Sequence, residues 1–176
     1  TLYLSDNGQI FASGKIMGID TDNYNDLMVM VPSFCKERIV SIACGQTHVL
    51  LLTDTGDVYG YGDNDIGEEK HYQQKPEKLQ FFKENIKAID CGFDDSLCLT
   101  QNGKMYQWNI KITKSAKIME IKNEKVLQIS CGISHKAILT KSNNIYCWGQ
   151  NSYNQCIQSL NKKKIDTPQL VISDIL

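Results

Sequence analysis

The sequence predicts an all-β fold in which repeated, four-stranded antiparallel sheets form the blades of a β-propeller. Three observations predict it: one pattern returns every 40 to 47 residues, apolar and polar residues alternate within it, and two of its turns carry Asn-Gly. Intervals of this length are typical of propellers and other repeat arrays. Alternation with a period of two indicates half-buried strands rather than helices, and radial repetition of small antiparallel sheets gives a propeller.

The first two strands of each repeat are predicted from a pair of apolar segments. The first segment ends in Cys-Gly and occurs without gaps at residues 39–45, 86–92 and 126–132. The second follows at a fixed offset and ends in Leu-Thr at Thr53 and at its two later equivalents, Thr100 and Thr140. Short segments rich in Val, Ile and Leu between turn residues are typical of paired strands.

A turn and an aromatic strand form the second half of each repeat. The Asn-Gly pairs at residues 7–8 and 102–103 admit positive φ and therefore suit a tight hairpin. This half of the repeat occupies residues 56–62, 103–109 and 144–149, and a fourth copy opens the chain at residues 4–14. The predicted repeats of this single partial propeller, residues 1–176, are residues 1–35 (partial), 36–82, 83–122 and 123–172.

The repeat also carries a family resemblance. Cys-Gly-x-x-His at residues 44–48 and 131–135, Trp-Gly at 148–149 and Gly-x-Asn-x-x-x-Gln at 149–155 are similar to repeats of the regulator of chromosome condensation family. The resemblance implies a propeller of about seven blades. With roughly three and two-thirds repeats, the chain is expected to be an incomplete propeller, completed by missing sequence or by another chain.

The middle repeat departs from this signature. Asp94-Asp95 stands where the other two repeats reach a His, and Asn109 replaces the Gly that follows the second aromatic residue. We interpret this repeat as a degenerate blade. The residues assigned to the structural signature are Cys44, Gly45, His48, Cys91, Gly92, Cys131, Gly132, His135, Trp108, Trp148 and Gly149.

Two chemical readings compete with a purely structural role for these residues. Cys44 with His48 has the composition of a nucleophile and its base, but a pattern that returns with every repeat is better explained by the fold. A metal site on Cys44, Cys91 and Cys131 lacks the short-spaced ligand pair that zinc sites usually use. We therefore expect no catalytic residue, no metal and no cofactor, and we interpret the thiols and the recurring Tyr and Trp residues as packing.

The loops are the predicted binding elements, because the rims of a rigid scaffold are where binding residues collect. Asp63 and Asp65 resemble the start of a calcium loop, but the distal Glu of that motif is missing. Solvated surface charge is the competing interpretation of all these clusters. The candidate partner-binding residues are the acidic Asp63, Asp65, Glu68 and Glu69 and the basic Lys111, Lys114, Lys162, Lys163 and Lys164.

Composition limits the classes of partner. The net charge is −1, with 8 basic and 13 acidic residues in positions 1–88 and 11 and 7 in positions 89–176, so neither half is basic enough to predict nucleic-acid binding. No apolar run approaches the length of a membrane span. Seven cysteines without a Cys-x-x-Cys pair favour a reducing compartment, and we expect an intracellular protein, cytoplasmic or nuclear.

A non-catalytic protein-interaction scaffold is the function that the repeats favour. The resemblance implies an alternative, a guanine-nucleotide exchange factor for a Ran-like small GTPase, which would require an inserted loop that the sequence does not show. The expected partner is accordingly a protein, with a small GTPase as one candidate. A shared fold does not decide between the two functions.

Overall fold

The computed structural model describes most of the chain, and all structural statements below refer to this part. It comprises residues 1–13, 29–30, 34–62, 73–109, 116–119, 121, 123–156 and 162–173. Within these ranges the backbone forms fifteen β-strands and no α-helix. The same residues include no helix that is long and apolar enough to span a membrane.

The strands form four antiparallel sheets, which we call blades 1 to 4. Blade 1 has three described strands and the other blades have four, in the order β4-β5-β6-β7, β8-β9-β10-β11 and β12-β13-β14-β15. The strands are β1 Leu2–Leu4, β2 Ile10–Ala12, β3 Val29–Met30, β4 Ile39–Cys44, β5 His48–Thr53, β6 Val58–Gly62, β7 Gln73–Lys78, β8 Ile86–Cys91, β9 Asp95–Thr100, β10 Met105–Asn109, β11 Lys117–Met119, β12 Val126–Cys131, β13 His135–Thr140, β14 Ile145–Gln150 and β15 Lys164–Ile172.

The first strand of blades 2, 3 and 4 carries the same irregularity. Its register against the second strand shifts between Ile39 and Ser41 in blade 2, and at the equivalent positions in blades 3 and 4. Such a shift is a β-bulge, which increases the local twist of a strand pair. The repeated sequence therefore encodes a repeated distortion as well as repeated pairing.

The hairpins between β1 and β2 of blade 1, and between the second and third strands of blades 2 to 4, each place one residue in the left-handed region. Gly8, Gly56 and Gly103 have φ between +84° and +87°, and Asn143 holds the equivalent position in blade 4 with φ of 57°. The Asn residues before Gly8 and Gly103 do not have positive φ. The turns are therefore loops with a single left-handed residue, not the two-residue hairpins with two such residues that Asn-Gly commonly forms.

Each blade has two rims. The signature rim carries the Cys-Gly turns that join the first and second strands, together with residues 151–156 after β14 and residues 162–163 before β15. The hairpin rim carries the turns at Gly8, Gly56, Gly103 and Asn143, and the segments that enter the next blade. Antiparallel pairing fixes this division, because alternate turns of a meander lie at opposite ends of the sheet.

The hydrophobic core consists of three clusters, and each cluster lies between two consecutive blades. One joins blades 1 and 2 around Ile10 and Leu51. A second joins blades 2 and 3 around Leu50 and Trp108, and the third joins blades 3 and 4 around Leu97. A sheet buries its apolar face only against another layer, so the blades stabilise one another in sequence.

Candidate functional site

The signature turn has the same backbone geometry in blades 2, 3 and 4. The N–H of Gly45 donates to the carbonyl of His48 at 2.8 Å, and Gly92 and Gly132 make the same bond to the residues three positions further on, also at 2.8 Å. In blade 3 the acceptor is Asp95. The loss of the histidine in that blade therefore leaves the turn unchanged.

The glycine of this turn is required by its neighbours. A Cβ at Gly45 or Gly132 would collide with the imidazole ring three residues later. At Gly92 a Cβ would lie 2.7 Å from the carbonyl oxygen of Gly132, and at Gly45 one would lie 2.8 Å from that of Gly92. These close approaches are possible only for a residue without a side chain.

The signature turns of consecutive blades are also bonded to each other through the backbone. Gln46 N–H donates to the carbonyl of Phe93 at 3.1 Å, and Phe93 N–H donates to that of Ile133 at 2.9 Å. The three residues occupy the same step of the repeat, two positions after the cysteine. The repeat thus forms a chain of hydrogen bonds that runs from blade 2 to blade 4.

Side chains cross the boundary between blades at a second repeated position. The Nε2 atom of His48 lies 2.9 Å from the hydroxyl of Ser96 in blade 3, which gives the signature histidine a partner in the next blade. Asp95, at the position of His48, forms an ion pair with Lys136, which stands in blade 4 at the position of Ser96. In the middle repeat, Asp95 and Lys136 therefore replace the histidine–serine pair by an ion pair.

The aromatic positions of the signature are packed between blades. Trp108 is buried and its ring lies 5.5 Å from that of Phe81 and 5.7 Å from that of Phe82. Trp148 is also buried, and its Nε1–H donates to Gln107 Oε1 of blade 3 at 3.1 Å. Both tryptophans therefore belong to the fold of the blade interfaces.

The strand ends beside these tryptophans differ between blades. Gly149 has φ of +109°, and a Cβ there would collide with the backbone of Ser134. Gly62 shows the same features in blade 2. Asn109 stands at this position in blade 3 without positive φ, and its side-chain amide donates to Asp95 at 3.2 Å.

The signature cysteines are free thiols, as are all seven cysteines of the chain. Cys44 is exposed, Cys131 is partly exposed, and Cys91 is buried with its thiol directed to the carbonyl of Ala43 at 3.6 Å. Burial raises the pKa of all three thiols above the ordinary value for cysteine. They are consequently protonated at neutral pH, and a protonated thiol is a poor nucleophile.

A polar cleft of about 460 Å³ opens between blades 3 and 4 on the signature rim. Its volume lies in the range typical of ligand pockets. Asp95, Gln107 and Asn109 line it from blade 3, and Lys136, Gln150 and Lys164 contribute from blade 4, with the wall completed by Ser134, Trp148, Gly149, Ile165 and Asp166. This cleft combines two charged pairs with one predicted binding residue, and we treat it as the candidate site.

Buried Asn151 holds the lysine segment at the mouth of the cleft. Only 2% of Asn151 is exposed. Its amide side chain donates to the carbonyl of Lys162 at 2.9 Å and accepts from Cys156 N–H at 3.0 Å, while its own N–H donates to the carbonyl of Lys163 at 2.7 Å. The Asn of the Gly-x-Asn motif thus fixes the backbone of the basic segment, whose side chains are exposed.

Only some of the predicted binding residues lie within the part of the chain that the structure describes. Lys162, Lys163 and Lys164 are described and lie together at the start of β15 on the signature rim. Lys164 forms an exposed ion pair with Asp166 at 3.2 Å. The other candidates, Asp63, Asp65, Glu68, Glu69, Lys111 and Lys114, lie outside the described residues.

Sequence reasoning missed the wall of the cleft. The sequence pattern marks Asp95 only as a departure from the repeat, and it does not single out Lys136 or Gln107. An alignment of the three copies places Lys136 one step after the histidine position, so it carried a signal once Asp95 was known to face the next blade. Within the described ranges, no group of three or more His, Cys, Asp or Glu residues has the arrangement of a metal site.

Comparisons with known proteins agree with the repeat geometry. The family model for the regulator of chromosome condensation (RCC1) repeat matches residues 39–68 and 126–155, which begin at the first strands of blades 2 and 4. The chain belongs to the RCC1-repeat family. The human probable E3 ubiquitin-protein ligase HERC4 is 31% identical over 158 residues, a match that covers 80% of this chain and 15% of that protein.

Two solved structures show the same fold. Human WBSCR16 superposes with a TM-score of 0.78 at 18% identity, over 98% of this chain and 50% of that one. Prp20p from Saccharomyces cerevisiae also gives 0.78, at 20% identity over 97% of this chain and 49% of that one. The RCC1-repeat propeller predicted from the sequence is confirmed, and the chain spans about half of each of these propellers.

Proposed function

We propose that this RCC1-repeat chain is a non-catalytic protein-interaction scaffold whose partner docks on the signature rim of blade 4. The observation that carries the proposal is the lysine segment at residues 162–164, whose backbone is fixed by buried Asn151 while its side chains are exposed. A binding surface held in place before the partner arrives loses less conformational entropy on binding. A rigid basic surface is therefore suited to recognition.

Two further observations support a protein partner. Tyr153 lies on the same loop and is almost fully exposed, and tyrosine is among the residues that contribute most to protein–protein interfaces. The signature glycines, His48 and both tryptophans are occupied by contacts within and between blades. A scaffold needs nothing more than a stable frame and an accessible rim. The free thiols support a reducing, intracellular location for this scaffold.

A guanine-nucleotide exchange factor for a Ran-like GTPase is the second candidate. It is favoured by the likeness to Prp20p, a protein whose structure was described together with its binding properties to Gsp1p and histones. At 20% identity that likeness concerns the fold. Nucleotide exchange on a GTPase is therefore the alternative function that an experiment must distinguish from non-catalytic binding.

Nucleotide release separates the two candidates. The full-length protein is titrated into a Ran-type GTPase loaded with a fluorescent guanine nucleotide. We expect no acceleration of release at substoichiometric protein, because a scaffold has no turnover. Catalytic acceleration by folded protein would replace the scaffold by an exchange factor.

The docking surface is tested with a charge-reversal variant. Lys162→Glu, Lys163→Glu and Lys164→Glu are combined in the full-length protein, and bound cellular proteins are quantified by mass spectrometry. The matched control reverses Lys83, Lys125 and Lys141, which are exposed on the hairpin rim. We expect specific partners to be lost from the first variant and retained by the second. Equal partner sets for both variants would contradict docking on the signature rim.

A further inference from the structure

The residues that break the repeat converge on the candidate cleft. Strand register makes Asp95 the equivalent of His48 and His135, and Asn109, which pairs with it, the equivalent of Gly62 and Gly149. Both departures belong to blade 3, and both line the cleft. In a repeat protein, the residues that recur in each repeat form the contacts that hold the blades together. Residues that depart from the pattern and lie close together therefore indicate a binding site rather than a part of this frame.

A third departure supplies the charge of the cleft. Lys136 stands at the step held by Val49 in blade 2 and by Ser96 in blade 3. Its side chain is only 6% exposed, and that of its partner Asp95 is 20% exposed. Removing an ammonium group from water is costly, and packing against the next blade needs no charge at this step, because the His48–Ser96 contact makes the equivalent link without one.

Asp95 uses both of its carboxylate oxygens as hydrogen-bond acceptors, whereas Lys136 has more donors than the described residues satisfy. Asp95 accepts from Lys136 with one carboxylate oxygen and from Asn109 with the other. Lys136 has three N–H donors, and among the described residues Asp95 is the one acceptor recorded for them. Gln107 uses its carbonyl oxygen for Trp148, and within the described part of the chain its amide NH₂ group has no acceptor. The cleft wall therefore favours a ligand that supplies acceptors.

The mouth of the cleft adds positive charge. Lys164 lines the cleft, and Lys162 and Lys163 precede it on the segment that Asn151 fixes. The bond between Lys164 and Asp166 joins two exposed side chains, and such pairs contribute little to stability. Lys164 can therefore exchange this partner for a carboxylate that enters the cleft.

We propose that the cleft between blades 3 and 4 binds an acidic polypeptide segment, with one Asp or Glu carboxylate held between Lys136 and Lys164. This inference rests on the proposed scaffold function and specifies the chemistry of the partner. A carboxylate supplies strong acceptors to both ammonium groups. The remaining lysines at the mouth attract the negative charge that flanks it.

A peptide probe tests the ligand class. A fluorescein-labelled peptide of alternating Gly and Glu is titrated with the full-length protein and followed by fluorescence anisotropy, beside a matched Gly and Gln peptide. We expect the Glu peptide to bind at least about tenfold more tightly than the Gln peptide. We also expect its affinity to fall as NaCl rises from about 50 to about 300 mM. No binding, or equal binding of the two peptides, overturns the proposal.

A double substitution tests the site. Asp95→His with Lys136→Ser installs in this interface the pair that already joins His48 to Ser96. We expect the thermal unfolding midpoint to be preserved and the affinity for the Glu peptide to fall about tenfold or more. Lys164→Gln at the exposed mouth provides a second variant that does not depend on refilling the interface. Lys141→Gln on the hairpin rim is its control and is expected to bind as the wild type does.

The outcomes separate this inference from the proposed function. Wild-type affinity in Lys164→Gln, together with wild-type affinity in a folded double variant, overturns the cleft as the binding site. If the double variant does not fold, the comparison of the Glu-peptide affinities of Lys164→Gln and Lys141→Gln decides whether the cleft is the binding site. If charge reversal at residues 162–164 abolishes partner binding but the wild type does not bind the Glu peptide, the acidic-ligand proposal is wrong and the scaffold function is retained. Catalytic nucleotide release would remove the scaffold whatever the peptide does.

Discussion

At the scale of single residues, the glycine at position 45 is required for two reasons, one within its own turn and one at the contact with the next blade. Gly45 lies beside the ring of His48 and against the carbonyl of Gly92 in the next blade. The His48 ring is itself held by Ser96 of that blade. Neither neighbour can move away without disturbing the contact between blades, so the space for a side chain is closed from both sides.

We expect Gly45→Ala to destabilise the protein by about 1–3 kcal/mol, the usual cost of overpacking. Gly132→Ala provides the comparison, because the three atoms nearest to a Cβ there all belong to the ring of His135. That side chain can shift, so the loss should be smaller. Urea unfolding of both variants measures the difference, and an equal or larger loss at Gly132 would show that the backbone contact is not the limiting one.

Glu124 gives a pH-dependent contribution to stability. Hydrogen bonds from the side chains of Thr140, Tyr146 and Asn144 hold the pKa of Glu124 below its ordinary value. Two of these bonds are short, 2.7 Å from Tyr146 and 2.8 Å from Asn144. Because the folded-state pKa is lowered, this contribution is complete above the unfolded-state pKa of about 4.3 and is lost as the pH falls through the folded value.

We therefore expect Glu124→Gln to lower the Tm at neutral pH, because the ionised acceptor is lost. The difference from the wild type should shrink below about pH 4, where the wild-type carboxylate becomes protonated. Thermal melts across this range measure it, with Asp54→Asn on an exposed hairpin residue as the control. A Tm difference that does not change with pH would exclude the carboxylate charge as its source.

At the scale of the element, the start of β15 depends on one buried side chain. Asn151 accepts a hydrogen bond from Cys156 N–H and donates one to the carbonyl of Lys162. The exposed residues 162–164 bury little apolar surface, so such hydrogen bonds are what restrict their position. The position of the lysines thus depends on an uncharged residue, Asn151, which bonds to their backbone carbonyls and not to their ammonium groups.

We expect Asn151→Ala to cost about 1–3 kcal/mol, because the amide of Cys156 and the carbonyl of Lys162 lose their bonds. Hydrogen exchange at the Cys156 amide should become faster, and exchange in β12 and β13 should change less. Ser152→Ala, at the exposed next residue, is the control and should leave the exchange unchanged. Unaltered protection at Cys156 in the Asn151 variant would contradict the anchor.

The strands and turns could be predicted because their signals are local. Alternation within residues 39–44 and a left-handed residue such as Gly56 are set by neighbours along the chain. The cleft could not be predicted in this way, because Asp95 and Lys136 are 41 residues apart and meet only when two blades pack. The loop clusters at residues 63–69 and 111–114 stay predictions, since they lie outside the described residues.

At the scale of the whole molecule, stability is shared between neighbours, because every core cluster belongs to two blades. Leu97 is fully buried on β9 of blade 3, in a cluster that includes Ile138 and Trp148 of blade 4. A cavity at this position removes contacts from both sheets. Damage to one blade should therefore appear in the next.

We expect Leu97→Ala to destabilise the protein by about 2–5 kcal/mol. Hydrogen exchange should become faster in β13 and β14 as well as in β9, because the lost contacts cross the interface. Leu127→Ala is the matched control, since Leu127 is 42% exposed and should cost less. Faster exchange confined to blade 3 would show that the blades unfold independently.

The backbone bonds from Gln46 to Phe93 and from Phe93 to Ile133 have a consequence for the ancestry of the fold. In each bond the earlier blade donates and the later blade accepts, and the atoms involved are present whatever side chains those two residues carry. A duplicated or exchanged blade therefore arrives with a compatible donor and acceptor. Gene duplication can then lengthen, shorten or recombine such arrays before any side chain has adapted, which leaves pairs such as Asp95 and Lys136 free to diverge afterwards.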